Sequence, residues 1–176
     1  MILVDKNPRI QLKWGPAVNS HIRVRAAAMI INKNNEILLV EYEDENGVHY
    51  NIPGGGAEPG ETIIEAVRRE AMEEVSARVE VGDLVLVYEY EPVENHSKYG
   101  PQHSICLMFE CTIPDGETAQ VPEYPDSNQT DIKWISLAHL KNIILYPDIK
   151  EQILEFAWEK RSLPIIEESQ LNIFES

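Results

Sequence analysis

GGAEPGETIIEAVRREAMEEVSA, residues 55–77, joins a glycine-rich turn to a run of carboxylates spaced for one helical face. Glu70, Glu73 and Glu74 stand at i, i+3 and i+4, so a helix expected over residues 61–75 stacks all three on one side. Like charges at that spacing cost ~0.2–0.5 kcal/mol per pair in an isolated helix. A cation placed between them offsets that cost. Hard divalent ions such as Mg²⁺ take oxygen ligands in near-octahedral geometry at about 2.0–2.1 Å and share their shell with phosphates and water. The stretch therefore reads as a metal cradle for phosphate chemistry.

The same residues resemble the signature box of the Nudix hydrolase family: glycine, five residues, glutamate, seven residues, then Arg-Glu-apolar-x-Glu-Glu-x-Gly-apolar. Gly55, Glu61, Arg69, Glu70, Ala71, Glu73 and Glu74 fall in register, and Pro53, Gly54, Glu58, Pro59 and Gly60 look like the usual lead-in. Ala71 and Ala77 are small where bulkier apolar residues are common, and Ser76 stands where the family has glycine. A left-handed non-glycine residue costs about 1–2 kcal/mol, so the helix is expected to end differently there.

The resemblance implies hydrolysis of a nucleoside diphosphate linked to another group, with Mg²⁺ or Mn²⁺ as cofactor and water attacking phosphorus. It implies metal binding by Glu70, Glu73, Glu74 and the Gly55 carbonyl, with Arg69 and Glu61 fixing the loop against the helix. It leaves open which acid is the general base. It also implies an α/β/α sandwich with a mixed sheet over roughly residues 20–162, and a homodimer is expected on family likeness alone.

The residues taken by themselves agree with these roles. Cleaving a phosphoanhydride requires neutralised phosphate oxygens, a water in line and a carboxylate to take its proton. Arg69 lies four residues from both Glu65 and Glu73 and can neutralise part of the acidic face. A glutamate run on a helix is ordinarily a solvated face, but that reading leaves Gly55, Glu61 and Arg69 without a reason to be in register. A phosphate-cradling P-loop needs a Gly-Lys-Ser/Thr ending, which this loop lacks.

At 176 residues and 43% hydrophobic, the chain is long enough for one core, and a single domain over 1–176 is expected. Thirty acidic against fifteen basic residues leave a formal charge of −15, which opposes binding to nucleic acid polymers. A small nucleotide carried in with a dication escapes that objection. Lys6, Arg9, Lys13, Arg23, Arg25 and Lys33 face only Asp5 in the first 34 residues. Ordinary charge balance explains a cationic segment of this kind; the functional reading is that Arg23 and Arg25, on one face of a strand, reach substrate phosphates.

Cys106 and Cys111 are an odd number apart, point to opposite faces of a strand and are not expected to pair. Neither has a partner at zinc spacing. With no apolar run of eighteen residues and no signal-peptide pattern, a cytoplasmic protein without membrane attachment is expected.

Strands are expected over 22–31 and 36–43 as a hairpin about the turn 32–35, then over 49–52, 79–90, 104–113 and 131–135. Helices are expected over 137–141 and 149–161, and an acidic mobile tail over 167–176. The loops 92–102 and 115–130 are the places for selectivity. Tyr99 on the first is placed at the binding rim; with Tyr88 and Tyr90 it either stacks on a nucleobase or packs in the core, the commoner fate of strand aromatics. Asp131, with Glu117, Glu123 and Asp126, is a candidate for an additional acid, and His103 is read as structural. Pro92, fifteen residues after the box, resembles the spacing of the ADP-ribose pyrophosphatase group, while oxidised nucleoside triphosphates fit equally well. The competing function is a non-catalytic nucleotide sensor on the same fold; relatives of that kind lose box acids, and this chain keeps them.

Overall fold

A computed structural model describes residues 21–163 and 165–171. Lys6, Arg9 and Lys13 of the cationic segment and residues 172–176 lie outside the described residues. Among the described residues, no helix is long and apolar enough to cross a membrane.

The strand β1 (Arg23–Ile30) shows how the layers arise. Its side chains alternate between faces. Ala26, Ala28 and Ile30 join one apolar cluster, whereas Ala27 and Met29 join another. β2 (Glu36–Asp44) divides the same way, with Leu38 and Val40 in the first cluster and Ile37 and Leu39 in the second. The first cluster is completed by helix α1 (Ile63–Val75). The second takes Leu137 and Leu140 from a 3₁₀ helix (Leu137–Asn142) and Ile153 and Phe156 from α2 (Lys150–Glu159). The result is the expected α/β/α arrangement.

β3 (Gly47–Asn51), β4 (Gly54–Gly56), β5 (Glu80–Tyr90), β6 (Ser104–Thr112), β7 (Gln129–Ser136) and β8 (Ile165–Glu167) complete the strands. One sheet has the order β4-β1-β6-β5-β8 and the other β3-β2-β7, with β1 parallel to β6 and antiparallel to β4. Bulges in β5 between Val81 and Leu86 account for its imperfect alternation. Cys106 and Cys111 are free and buried in opposite clusters, as their spacing predicts.

Two local expectations are corrected. The segments flanking the turn 32–35 do not form a hairpin: one bridge, Ile31 to Ile37, joins them before they part into different sheets. Both edges of β1 are already occupied by β4 and β6, so β2 pairs with β3 and β7 instead. The stretch following α2 is likewise no loose tail as far as Leu171. β8 pairs with β5, Glu168–Gln170 forms a 3₁₀ turn, and Glu168 and Leu171 are buried.

Candidate active site

Helix α1 begins at Thr62, whose hydroxyl accepts from the Glu65 N–H while the Glu65 carboxylate accepts from the Thr62 N–H. This reciprocal cap fixes the helical phase. Its buried stripe is Ala66, Val67, Glu70, Ala71, Glu74 and Val75, so two carboxylates enter the stripe that faces the sheet. At the far end Ser76 adopts the left-handed conformation itself (φ 49°, ψ 33°), contrary to the expected change of ending. Its N–H donates to Met72 O at 3.1 Å, that of Ala77 to Ala71 O at 3.4 Å, and Ala77 is buried against the core. Capping bonds and apolar burial offset the backbone cost.

Arg69 locks the loop to the helix. Its Nε and Nη2 donate to Glu61 at 3.1 and 2.7 Å, Nη2 also donates to the Gly56 carbonyl at 2.9 Å, and Nη1 donates to Glu70 at 2.8 Å and Glu73 at 2.9 Å. The cation between Glu70 and Glu73 is thus this guanidinium, whose pKa the carboxylates raise further, and Arg69 holds the Glu61 carboxyl below its usual range. The Glu73 side chain is 57% exposed and that of Glu70 11%, and Glu74 is buried. Glu74 turns inward, accepting from the Gly54 N–H at 2.7 Å and from the Tyr42 hydroxyl at 3.1 Å. Burial pushes its pKa up to about 7 against those two hydrogen bonds, with the charges of Glu70 and Asp126 adding to the rise. Burial also raises Glu70.

Without a bound ion the three carboxylates do not meet on one point. Among the described residues no three Asp, Glu, His or Cys side chains gather closely enough to hold a metal ion as they stand. Glu74 is engaged below the loop, and Arg69 closes the gap between the other two. The donor chemistry still suits a hard dication: carboxylates carry two buried, charge-penalised sites, and Gly55 is so close that a Cβ there would overlap the Glu70 carboxylate.

Gly54 connects this acidic face to a cavity of about 320 Å³. Its N–H serves Glu74, while its carbonyl accepts from Arg25 Nη2 at 3.0 Å inside the cavity. Arg23 lines the same space and lies against Gly56. Tyr88, Tyr90, Tyr99 and Tyr146 form an aromatic wall. The Tyr99 ring lies 5.5 Å from both Tyr90 and Tyr146, centroid to centroid. One buried polar atom at this cavity, Asn51 Oδ1, has no hydrogen-bond partner. Buried polar groups are ordinarily satisfied, so Asn51 Oδ1 stands out among the cavity's lining atoms.

The sequence model of the NUDIX domain family matches residues 21–156. The chain belongs to the NUDIX family. A nucleoside triphosphatase, NudI of Enterobacter sp. (strain 638), is 30% identical over 127 residues, spanning 66% of this chain and 84% of that protein. An RNA pyrophosphohydrolase of Pelagibacter ubique is 25% identical over 152 residues, spanning 78% of this chain and 95% of its own. A solved NUDIX hydrolase from Nitrosomonas europaea superimposes with TM-score 0.65 at 22% identity, covering 88% of this chain and 98% of that one, a likeness of fold. The chain is accordingly a Nudix hydrolase.

Within this Nudix chain, Arg23, Arg25 and Tyr99 line the cavity. Asp131 does not: it sits on β7, pairs with Lys133 and lies opposite Glu41 of β2. The loop 115–130 instead folds onto the end of α1. The Gln120 N–H donates to Val75 O at 2.9 Å, and buried Gln129 donates to Glu74 O at 2.8 Å. Of the acids named from that region, Asp126 contributes to the electrostatics of Glu74, while the Glu117 carboxylate accepts from the Arg78 N–H. His103 pairs with Glu89 at 2.8 Å. Packing and cavity lining prove compatible for Tyr88 and Tyr90, which are buried in the core and border the cavity at once. Tyr42, Asn51 and Tyr146 escape sequence reading. Asn51 ends a strand just ahead of the glycine loop, and only the meeting of β2 with α1 brings Tyr42 to Glu74.

Proposed function

We propose that this Nudix hydrolase cleaves a phosphoanhydride bond in a small nucleoside diphosphate derivative, with Mg²⁺ or Mn²⁺ bound by Glu70, Glu73, Glu74 and the Gly55 carbonyl. The observation that carries the proposal is the double role of Gly54, whose N–H orients Glu74 and whose carbonyl orients Arg25. Phosphates placed over the loop would lie between an acidic helix face and two cavity arginines. The dication supplies charge neutralisation on phosphate oxygens and a water of lowered pKa. Arg69 holds loop and helix in register, and Glu70 and Glu73, now bound by its Nη1, would hold that ion. Arg25 and Arg23 balance phosphate charge from the cavity side. The aromatic wall takes the ring of the nucleoside, with Asn51 Oδ1 accepting from a ring N–H.

The resemblance to a nucleoside triphosphatase supports a triphosphate or a similarly small substrate. A net charge of −15 argues against long RNA, despite the RNA pyrophosphohydrolase relative. Two free buried thiols suit a reducing compartment, in keeping with a cytoplasmic enzyme. The test is incubation with Mg²⁺ and a panel of nucleoside triphosphates, oxidised nucleotides, ADP-ribose, nucleotide sugars and dinucleoside polyphosphates. Turnover of at least one, lost in Glu70→Gln, is expected. Absence of turnover throughout the panel overturns the proposal.

A further inference from the structure

The family match ends at residue 156, yet residues 165–171 reach the cavity wall. Glu168 is 5% exposed, and each of its carboxylate oxygens has a partner from a different element. Oε2 accepts from the Tyr88 hydroxyl of β5 at 2.7 Å. Oε1 accepts from Lys98 Nζ of the loop 92–102 at 2.9 Å. Burial with these bonds to a carboxylate drives the Tyr88 hydroxyl pKa well up. From Lys98 the linkage continues into the wall: its ammonium stands 4.8 Å from the centroid of the Tyr99 ring. The Tyr99 N–H donates to the Tyr90 hydroxyl at 3.0 Å, which in turn donates to Gly100 O at 2.8 Å. β8 secures the carboxylate by pairing Ile166 with Tyr88.

We infer that Glu168 is a positioning residue that joins Tyr88 to the Tyr99 loop and thereby sets which ring the cavity accepts. The inference rests on the reading of that cavity as the nucleoside site. One carboxylate ties Tyr88 of β5 to Lys98 of the loop, beside the direct contact that Tyr90 makes with Tyr99. Glu168 is the buried charge and half-exposed Lys98 its ionic partner, so removing Lys98 strands the carboxylate and neutralising Glu168 frees Lys98; either change alters how the loop 92–102 sits against Tyr88. The helix acids Glu70, Glu73 and Glu74 bond to other partners than Glu168, Lys98 or Tyr88. The effect of Glu168 therefore falls on discrimination between rings rather than on the chemical step.

The test uses Glu168→Gln, which keeps an acceptor for Tyr88 but loses the charge facing Lys98, and Lys98→Met, which breaks the link from the other side. Steady-state kinetics with ATP, GTP, CTP and UTP are read for kcat and KM separately. Each variant should shift the purine-to-pyrimidine KM ratio by about tenfold while kcat on the best substrate stays within roughly twofold. Equal KM changes for all four nucleotides, or a uniform fall in kcat, marks a merely structural ion pair and overturns the inference. Calorimetry with AMP, GMP, CMP and UMP in EDTA separates this claim from the hydrolysis reading. Altered relative affinities in the variants sustain the inference even without turnover of any triphosphate. Unchanged relative affinities, or no binding of any nucleotide, overturn it. Should Glu168→Gln fail to fold, Lys98→Met alone decides.

Discussion

Replacing Glu74 by glutamine should make the metal-free protein more stable while destroying its activity. The carboxylate is buried, and its pKa rises from the ordinary 4.5 to about 7. The folded state therefore holds the proton more tightly than the unfolded chain. This contribution is present in full below about pH 4.5 and is lost as pH rises through about 7. Converting the shift at 1.36 kcal/mol per pH unit gives a penalty of about 3 kcal/mol on the ionised form. Glutamine has no such penalty and has the shape to accept from Gly54 N–H and meet the Tyr42 hydroxyl. In EDTA at pH 8, Glu74→Gln should gain about 3 kcal/mol in urea unfolding, or roughly 6–12 °C in Tm for a chain of this size. At pH 5 the difference should shrink to under about 1 kcal/mol. The assay is a pair of urea titrations for each protein at the two pH values, with hydrolysis followed in parallel. An equal or less stable variant at pH 8, or a difference that does not depend on pH, would refute the assigned burial cost.

Adding Mg²⁺ or Mn²⁺ at pH 8 should stabilise the native protein by about 2.7 kcal/mol at a hundredfold excess over Kd and the glutamine variant far less, so thermal scans should show the gap closing. Arg69→Lys keeps a charge but loses the fork that grips Glu61 and Gly56 O, and kcat should fall on the order of 10–100-fold. An undiminished kcat would rule out Arg69 as the lock of the loop. Ser76→Gly relieves a left-handed side chain, and after glycine's entropic cost it should raise stability by about 0.5–1 kcal/mol; a lower midpoint in urea counts against that account. The adjacent glycines should separate. A Cβ at Gly54 would overlap the Ala26 carbonyl and the Ala27 backbone, so Gly54→Ala should lower Tm. At Gly55 the nearest atoms it would meet belong to the Glu70 carboxylate, the far end of a flexible side chain, so Gly55→Ala should lower Tm less than Gly54→Ala and lose activity.

The register of Gly55, Glu61, Arg69, Glu70, Glu73 and Glu74 was legible because a helix and its preceding loop obey local rules. Cap, phase and charge spacing all lie within 23 consecutive residues. Strand alternation likewise placed Cys106 and Cys111 on opposite faces. What the local pattern left undecided is everything that depends on which edge meets which. The hairpin about residues 32–35 fails because β4 and β6, from distant parts of the chain, already occupy β1. The three acids do not converge, because Tyr42 and Gly54 draw Glu74 inward and Arg69 fills the space between the others. Glu168 looked like tail charge until its carboxylate proved to lie between Tyr88 and Lys98, 80 and 70 residues away in sequence. Short-range geometry is written in spacing; long-range pairing is settled by competition for edges and for buried charge, which only the assembled chain resolves.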